Sequence, residues 1–483
     1  MRHLAASTLL LSLAASGSLT IPANFGTPPA DRIDPSTYRQ ELVVLTRPAP
    51  ATRFPTVEGH FAGLERDLVS MFAEEIDVPL RMIEASGYAD ALARLQRGEA
   101  HLAAAGLTAT RGRDENIVFG PGYMTVRQVL VHRAGSEAPR SVRALGDKRV
   151  VVAAQSAGAE RFERALSKAP EVNVEVVTAN APEAVTATLR AGNAEYAVMG
   201  SHMFDLLRVA FPQYRRAMTL GEPDKLAWAF PADADPRLLK QARRFFTRIQ
   251  SNGTLPRLID RYYGHVNRLS ELERETFLER CETSLSQYRH AFIAAQNATG
   301  IDWRLIAALG YQESKWDPLA TSPTGVRGFM MLTDQTAART GLRDKLHARS
   351  SILAGARYLK SLRDALPPRI AEPDRTWLAL AAYNQGPGHL EDARVLAQRN
   401  GGNPDVWLDV KRALPLLADA EYNGDLRHGY ARGGEAMALT ENVRAYYQML
   451  MQIEPAIGPD VPLQTPADGE PAVTSAPEFG FLI

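Results

Sequence analysis

The first feature of this sequence able to do chemistry is a carboxylate on the apolar side of a helix. Asp302 is placed to cap a helix running through Trp303, Leu305, Ile306, Leu309 and Gln312. At 3.6 residues per turn, Glu313 falls four residues past Leu309 and seven past Ile306, so it shares their stripe. Partial burial there raises a carboxyl pKa. A Glu still protonated near neutral pH is what a general acid for glycoside cleavage requires. Position alone also fits a helix-end Glu turned to solvent. The residues that follow shift the balance. Ser314-Lys315-Trp316-Asp317-Pro318 ends the helix, and Gly325 and Gly328 precede Phe329, Met330, Met331 and Leu332, a pattern suited to a tight loop or hairpin close to a ligand. Glycoside hydrolases ordinarily use two carboxylates. Here no second acid stands at a telling spacing, and Glu441 is the remaining candidate for that part.

Glu313-Ser314, Pro318 and Gly325-Val326-Arg327-Gly328-Phe329-Met330-Met331 resemble the signature of the lytic transglycosylase family with a lysozyme-like fold: Glu-Ser, a Pro, then Gly-x-x-Gly-Leu-Met-Gln. Ala382-Tyr383-Asn384 with Gly386 is similar to that family's Ala-Tyr-Asn motif. Tyr430-Ala431-Arg432-Gly433 with Glu441-Asn442-Val443-Arg444-Ala445-Tyr446 is similar to its C-terminal helix, and the three segments stand in the family's order. The resemblance implies peptidoglycan glycan strands as substrate, cleavage between MurNAc and GlcNAc, no cofactor or metal, and Glu313 as the single acid/base. It also implies that the substrate's acetamido group stabilises the positive charge and that its 6-hydroxyl closes a 1,6-anhydro ring. It places Ser322 near the acetamido group, Tyr383 near the acid, Asn384 in support of the loop, and Ser314, Met331 and Tyr446 along the cleft. Core packing remains an alternative for Tyr383, as does a structural cap for Asn384. Met331 stands where the family has a glutamine facing the sugar, and Phe329 where it has Leu. Neither residue moves a proton, so the departures bear on substrate preference.

The first half carries a second resemblance. Gly98-Glu99-Ala100-His101, Gly106-Leu107-Thr108-Ala109-Thr110-Arg111-Gly112-Arg113 and Phe119-Gly120-Pro121-Gly122-Tyr123 are similar to stretches of the periplasmic solute-binding proteins that take amino acids. This implies that Thr108 and Arg113 grip a ligand α-carboxylate, a task suited to a planar, bidentate donor. Ser156 lies in Gln155-Ser156-Ala157-Gly158-Ala159-Glu160, where backbone amides at a helix N-terminus form an anion site. Gly200 stands where the family's acid for the ligand amine is expected. A peptide, a muropeptide or no ligand therefore ranks beside a free amino acid.

These residues need two different scaffolds. Strand candidates at 42–45, 101–107, 126–132, 149–154, 173–177 and 196–199 alternate with helical stretches such as 64–75, 89–97 and 159–168, implying βαβ units and mostly parallel sheets. After Gly264 strand candidates nearly vanish and Ala, Leu, Arg and Glu dominate. The expected fold is multidomain, an α/β two-lobe periplasmic-binding-protein fold followed by a mainly α lysozyme-like domain. Its parts are a signal peptide at 1–17, a linker at 18–40, the solute-binding part at 41–265, the transglycosylase part at 266–453 and a disordered Pro-rich tail at 454–483.

Composition fits such a protein. With 483 residues, 45% of them hydrophobic, there is material for several cores. Lys plus Arg and Asp plus Glu balance at 55 each, so no global field favours nucleic acid or an anionic membrane. Met1, Arg2 and His3 precede a mostly apolar run at 4–15 and then Ser16 and Gly17, a secretory pattern too short to span a bilayer. The lone Cys281 can form no internal disulfide and reads as a packed, inert thiol. The combined resemblances imply a periplasmic enzyme, peripheral on the inner face of the outer membrane. Two other readings remain open, a muramidase on the same scaffold and a solute or wall-fragment sensor whose C-terminal half only binds glycan.

Overall fold

The computed structural model describes residues 32–49, 52, 54–55, 61–110 and 116–457. The expected signal peptide, Arg113 and all of the expected tail beyond 457 lie outside the described residues.

β1 (Leu42–Thr46) is buried at all five positions, the pattern of a strand covered on both faces. Then follow α1 (Leu64–Glu75), β2 (Leu80–Glu84), α2 (Tyr88–Gln96) and β3 (Leu102–Ala103). The strand expected at 101–107 stops early because Gly106 takes φ 68° and turns its amide onto Glu65 Oε1 at 2.8 Å. The chain crosses to a second lobe through β4 (Thr108–Ala109), β5 (Ile117–Phe119) and β6 (Met124–Arg133). That lobe is built from β7 (Arg149–Ala153), α3 (Ala157–Leu166), β8 (Glu175–Ala179), α4 (Pro182–Arg190), β9 (Tyr196–Gly200) and α5 (Ser201–Ala210). The return runs through β10 (Tyr214–Leu226) and β11 (Ala229–Pro231).

The sheets have the orders β2-β1-β3-β11-β5 and β8-β7-β9-β6-β10-β4. Both are mixed, which corrects the expectation of mostly parallel sheets. β1 is parallel to β2 and β3, and β7 to β8 and β9, but β11 runs antiparallel to β3 and β5, and β6 antiparallel to β9 and β10. The two passages between lobes bring these strands in against the direction of the βαβ units. Residues 35–39, expected to belong to a linker, form a 3-10 turn capped by Asp34 with Tyr38 buried. α6 (Pro236–Ser251) then packs Phe245 and Phe246 against Phe72 and Trp228 of the first lobe, and α7 (Thr254–Tyr263) closes the module.

The second half is helical: α8 (Glu271–Arg280), α9 (Ser286–Thr299), α10 (Trp303–Ser314), α11 (Asp334–Thr340), α12 (Ala348–Ala365), α13 (Asp374–Gln385), α14 (Pro387–Arg399), α15 (Trp407–Ala413) and α16 (Gly433–Ile453). α10 is buried at every position from Trp303 to Tyr311. It is therefore a central helix rather than a surface one, with α9 and α16 packed around it. Between α8 and α9, Cys281 opens a single π-helical turn, and burial pushes its thiol pKa up, which keeps it inert.

The halves share contacts. Leu206 and Val209 of α5 join the C-terminal core, and α7 is held by the ion pairs Arg257–Asp409 (2.8 Å), Arg261–Asp374 (2.8 Å) and Asp260–Lys411 (2.5 Å). The start of the expected tail is anchored too, since Gln296 donates to the Ile457 carbonyl at 2.8 Å and Arg304 to that of Glu454 at 3.1 Å. No helix among the described residues is long and apolar enough to cross a membrane.

Candidate active site

Asp302 caps α10 as expected, its carboxylate accepting from the Arg304 amide at 2.9 Å. At the other end the helix stops abruptly. Lys315 and Trp316 both adopt left-handed backbone, φ 56° and 62°, a strained choice for bulky side chains. Two contacts hold it. Trp316 folds back to donate Nε1–H to the Ala307 carbonyl at 2.8 Å, and the Lys315 ammonium lies 4.5 Å and 5.4 Å from the ring centres of Tyr311 and Tyr446. The reversal leaves Glu313 at the helix end, partly exposed yet closely surrounded by protein. Burial pushes its pKa up to about 8, against a smaller opposing pull from Lys315. Among the described residues no side chain hydrogen-bonds or pairs with this carboxyl.

The loop after the helix is a small hairpin. Thr321 bridges Arg327, the Ser322 amide donates to the Val326 carbonyl at 2.8 Å, and Ser322 Oγ accepts from the Val326 amide at 3.0 Å. Gly328, at φ 106°, cannot be replaced without movement, because a Cβ there would sit 2.3 Å from the Lys345 carbonyl oxygen. The next residues run beneath Glu313's helix. Phe329 is fully buried against Tyr288, Phe292 and Gly310, so its difference from the family's Leu is a matter of core packing. Met330 packs under Gly355. Met331 takes φ 46° and is only half-buried.

Tyr383, on α13, ties the loop to the helices by donating its hydroxyl to the Met330 carbonyl at 2.9 Å. Burial, and next the nearby Glu313 charge, keep its pKa well above the usual phenol value, so it stays a neutral donor. Tyr383 thus meets the core alternative and the expected closeness to the acid at once. Asn384 is exposed, and the helix end is shaped by Gly386 at φ 90° rather than by an Asn384 cap.

Two expected cleft residues lie elsewhere. Ser314 is buried and its hydroxyl donates back to the Gly310 carbonyl at 3.1 Å, so it serves its own helix. Tyr446, 2% exposed, sits in a ring cluster with Phe277 and Tyr311, behind Lys315. The same packing that makes α10 central turns both away from solvent. Glu441, the remaining candidate for a second acid, is also engaged. Trp407 Nε1 and Arg444 Nη1 each donate to its Oε1 at 2.6 Å, and Lys411 reaches Oε2 at 3.3 Å. Burial alone would raise its pKa, but Arg444 and Lys411 outweigh that and hold it at about 2. A carboxylate so bound has neither the protonation nor the freedom for acid/base work.

In the first half, Thr108 and Ser156 come together on the wall of a cavity of about 30 Å³ between the lobes. Thr108 is buried in β4, opposite Leu226 of β10. Ser156 caps α3, its Oγ accepting from the Ala159 amide at 3.0 Å. Arg113 lies outside the described residues. Sequence reading missed Arg47, Tyr88, Gln128, Glu183 and His202, which the fold gathers around the same cleft. The one available signal was Arg47 itself, a charge directly after a wholly buried strand that is apolar but for Thr46. His202 is neutral, because burial first and the Arg47 charge second lower its pKa to about 3.

Residues 290–405 match the family described as Transglycosylase SLT domain, and residues 42–265 match the bacterial extracellular solute-binding proteins, family 3. A protein of Nitrosospira multiformis named membrane-bound lytic murein transglycosylase F is 45% identical, the match covering 86% of this chain and 86% of that one. A protein of Thiobacillus denitrificans with the same name is 44% identical over 89% of this chain and 92% of its own. Among solved structures, a variant of ArgBP from T. maritima is 20% identical, covers 47% of this chain and 97% of its own, and superposes with a TM-score of 0.43.

Proposed function

The chain belongs to the membrane-bound lytic murein transglycosylase F family, a family of lytic transglycosylases acting on peptidoglycan, and from this we propose that Glu313 alone supplies the acid and base of its reaction. The observation that carries this is a single carboxyl, raised to about 8 and with no hydrogen-bonding or ion-pair partner among the described residues, while the other candidate acid, Glu441, is held by Trp407 and Arg444. Protonated at neutral pH, Glu313 gives its proton to the oxygen joining MurNAc to GlcNAc, and the C1–O bond breaks with its electrons passing to that oxygen. The carbonyl oxygen of the same sugar's acetamido group takes up the positive charge at C1. Glu313, now a carboxylate, removes the C6 hydroxyl proton, and O6 closes on C1 as the acetamido group leaves. The acid is restored and the product carries a 1,6-anhydromuramoyl end. No water is consumed, which agrees with Glu441, the remaining candidate to activate one, being tied up in its ion pairs.

On this reading Ser322 lies by the acetamido group, Asn384 and Met331 meet the glycan, and Tyr383 acts as a positioning residue through Met330. The first module takes an amino acid, peptide or muropeptide and modulates cleavage. Residues 1–17 export the chain to the periplasm, where it rests peripherally on the outer membrane.

Digestion of purified sacculi, followed by mass analysis of the muropeptides, tests the chemistry. Products lighter by one water than their hydrolysed counterparts are expected, with activity reduced by about 10²–10⁴-fold in Glu313→Gln. Hydrated products, or equal activity in the variant, would sink the mechanism. Unchanged activity across ligands that demonstrably bind the first module would sink the modulation.

A further inference from the structure

The two modules meet over a cavity of about 250 Å³. α1 and α7 of the first module form one side of it, and α13, α15 and α16 of the second form the other. It shares no residue with the cavity between the lobes, and the carboxylate behind it is Glu441, held by the wall residues Trp407 and Arg444. Ligand sites run from about 300 Å³ upward, so this one suits a single ring rather than a chain.

Two chemistries alternate on its wall. Met71, Leu258 and Val406 give apolar patches, and Trp377, partly exposed, gives an indole ring with the Arg444 guanidinium 5.4 Å from its centre. Between them stand ion pairs. Arg257 holds Asp409, Arg261 holds Asp374 and lies 3.5 Å from Asp67, and Arg444 and Lys411 share Asp260 and Glu441. Every cation already has a carboxylate, so no positive field is left over to hold an anion. A hydroxyl fits such a wall, because it can accept from a guanidinium N–H and donate to the carboxylate beside it without separating the pair. Several hydroxyls set around an apolar face describe a pyranose ring.

We propose that this junction cavity binds one neutral hexosamine unit of the kind that builds the enzyme's own substrate: the ring's apolar face lies on Trp377, and its hydroxyls bridge Arg261 to Asp374 and reach Arg257. The site draws on both modules, so it exists only in the full chain. A sugar held there touches the same Arg257–Asp409 and Arg261–Asp374 pairs that fasten the modules together. The proposal goes beyond the reading of Glu313 as acid and base and does not depend on it.

The test is fluorine NMR of the full chain carrying fluorotryptophan, titrated with N-acetylglucosamine and, separately, with inorganic phosphate. The chain has five tryptophans, and the signals of Trp377 and Trp407, both on the cavity wall, are assigned by their loss in Trp377→Phe and Trp407→Phe. Both signals should move saturably with the sugar and stay in place with phosphate. Read at Trp407, Trp377→Ala should weaken the sugar by about tenfold, and Trp377→Phe, which keeps a ring, by about threefold or less. Digestion of sacculi by the Trp377 variants reports whether the fold is intact and reads the catalytic proposal separately, since a failure at Glu313 leaves these signals untouched. No movement of either signal up to the sugar's solubility, phosphate moving them as strongly as the sugar, or equal affinity in the wild type and Trp377→Ala would each overturn the proposal.

Discussion

α10 and α16 pack against each other, and each buries a glutamate from its own side. At the cleft end of α10, Glu313 has no hydrogen-bonding or ion-pair partner among the described residues, and burial raises its pKa to about 8. On the face of α16 that meets the first module, Glu441 has three donors and is held at about 2. The side chains are identical and the helices are neighbours, linked by Asn442 and Gln312 at 3.3 Å. What differs is whether a cation arrives with the carboxylate. An unpaired buried acid keeps its proton and can deliver it, whereas a paired one becomes a fixed charge that fastens α16 to Trp407 and, through Arg444 and Lys411, to Asp260 of the first module.

The sharpest way to break this contrast is Glu441→Gln. It leaves Arg444 and Lys411 underpaired at a buried junction, and a loss of about 3–5 kcal/mol is expected in denaturant unfolding. The products from sacculi should stay anhydro in both proteins; hydrated muropeptides made by the wild type and lost in the variant would make Glu441 a working acid after all, and no loss of stability would break its reading as a structural charge. The pH dependence of the two sites has opposite sign. The folded pKa of Glu441 lies below its unfolded value of 4.5, so its contribution is present above that value and disappears as pH falls towards about 2. That of Glu313 lies above 4.5, so the unfolded chain ionises first and the native state loses stability as pH rises from there to about 8.

Glu313→Gln should therefore raise stability at neutral pH by roughly 1–3 kcal/mol while activity collapses, and thermal melts at pH 5 and pH 8 should show the gain mainly at the higher pH. Wild-type cleavage should decline as pH climbs through about 8, when the acid loses its proton before substrate arrives. A smaller effect is expected of Tyr383→Phe, which removes the bond to the Met330 carbonyl. About 1 kcal/mol of stability and a several-fold drop in kcat should go with it, and an unchanged kcat would make Tyr383 purely a core residue. Met331→Gln should do least, changing glycan preference with stability held within about 0.5 kcal/mol.

Much of this was legible in advance. The helix at 64–75 and the strands at 42–45 and 149–154 stand almost where their apolar runs place them, because the period and length of such a run select its element locally, whichever segments later cover it. β10 was not legible. It carries Arg215, Arg216, Glu222, Pro223, Asp224 and Lys225, with register shifts at two points that break alternation, and it is a strand because β6 offers it an edge. At the site, Glu313 and the glycine hairpin could be read from spacing. Ser314 and Tyr446 could not be sorted into cleft or core that way, since α10 is surrounded on all sides and helical counting names a face without saying what covers it.

The sequence by itself determined the two scaffolds, the helix that carries Glu313, its abrupt end and the tight loop behind it, because periodicity, capping and glycine chemistry act over a few residues. The tertiary structure alone decided which buried charges stand unpaired. Arg47 meets Glu183 from 136 residues away and Arg444 meets Asp260 from 184, while among the described residues nothing comparable comes to Glu313. A buried carboxyl's pKa depends on what other segments bring within a few ångströms, and no local pattern in the chain records that.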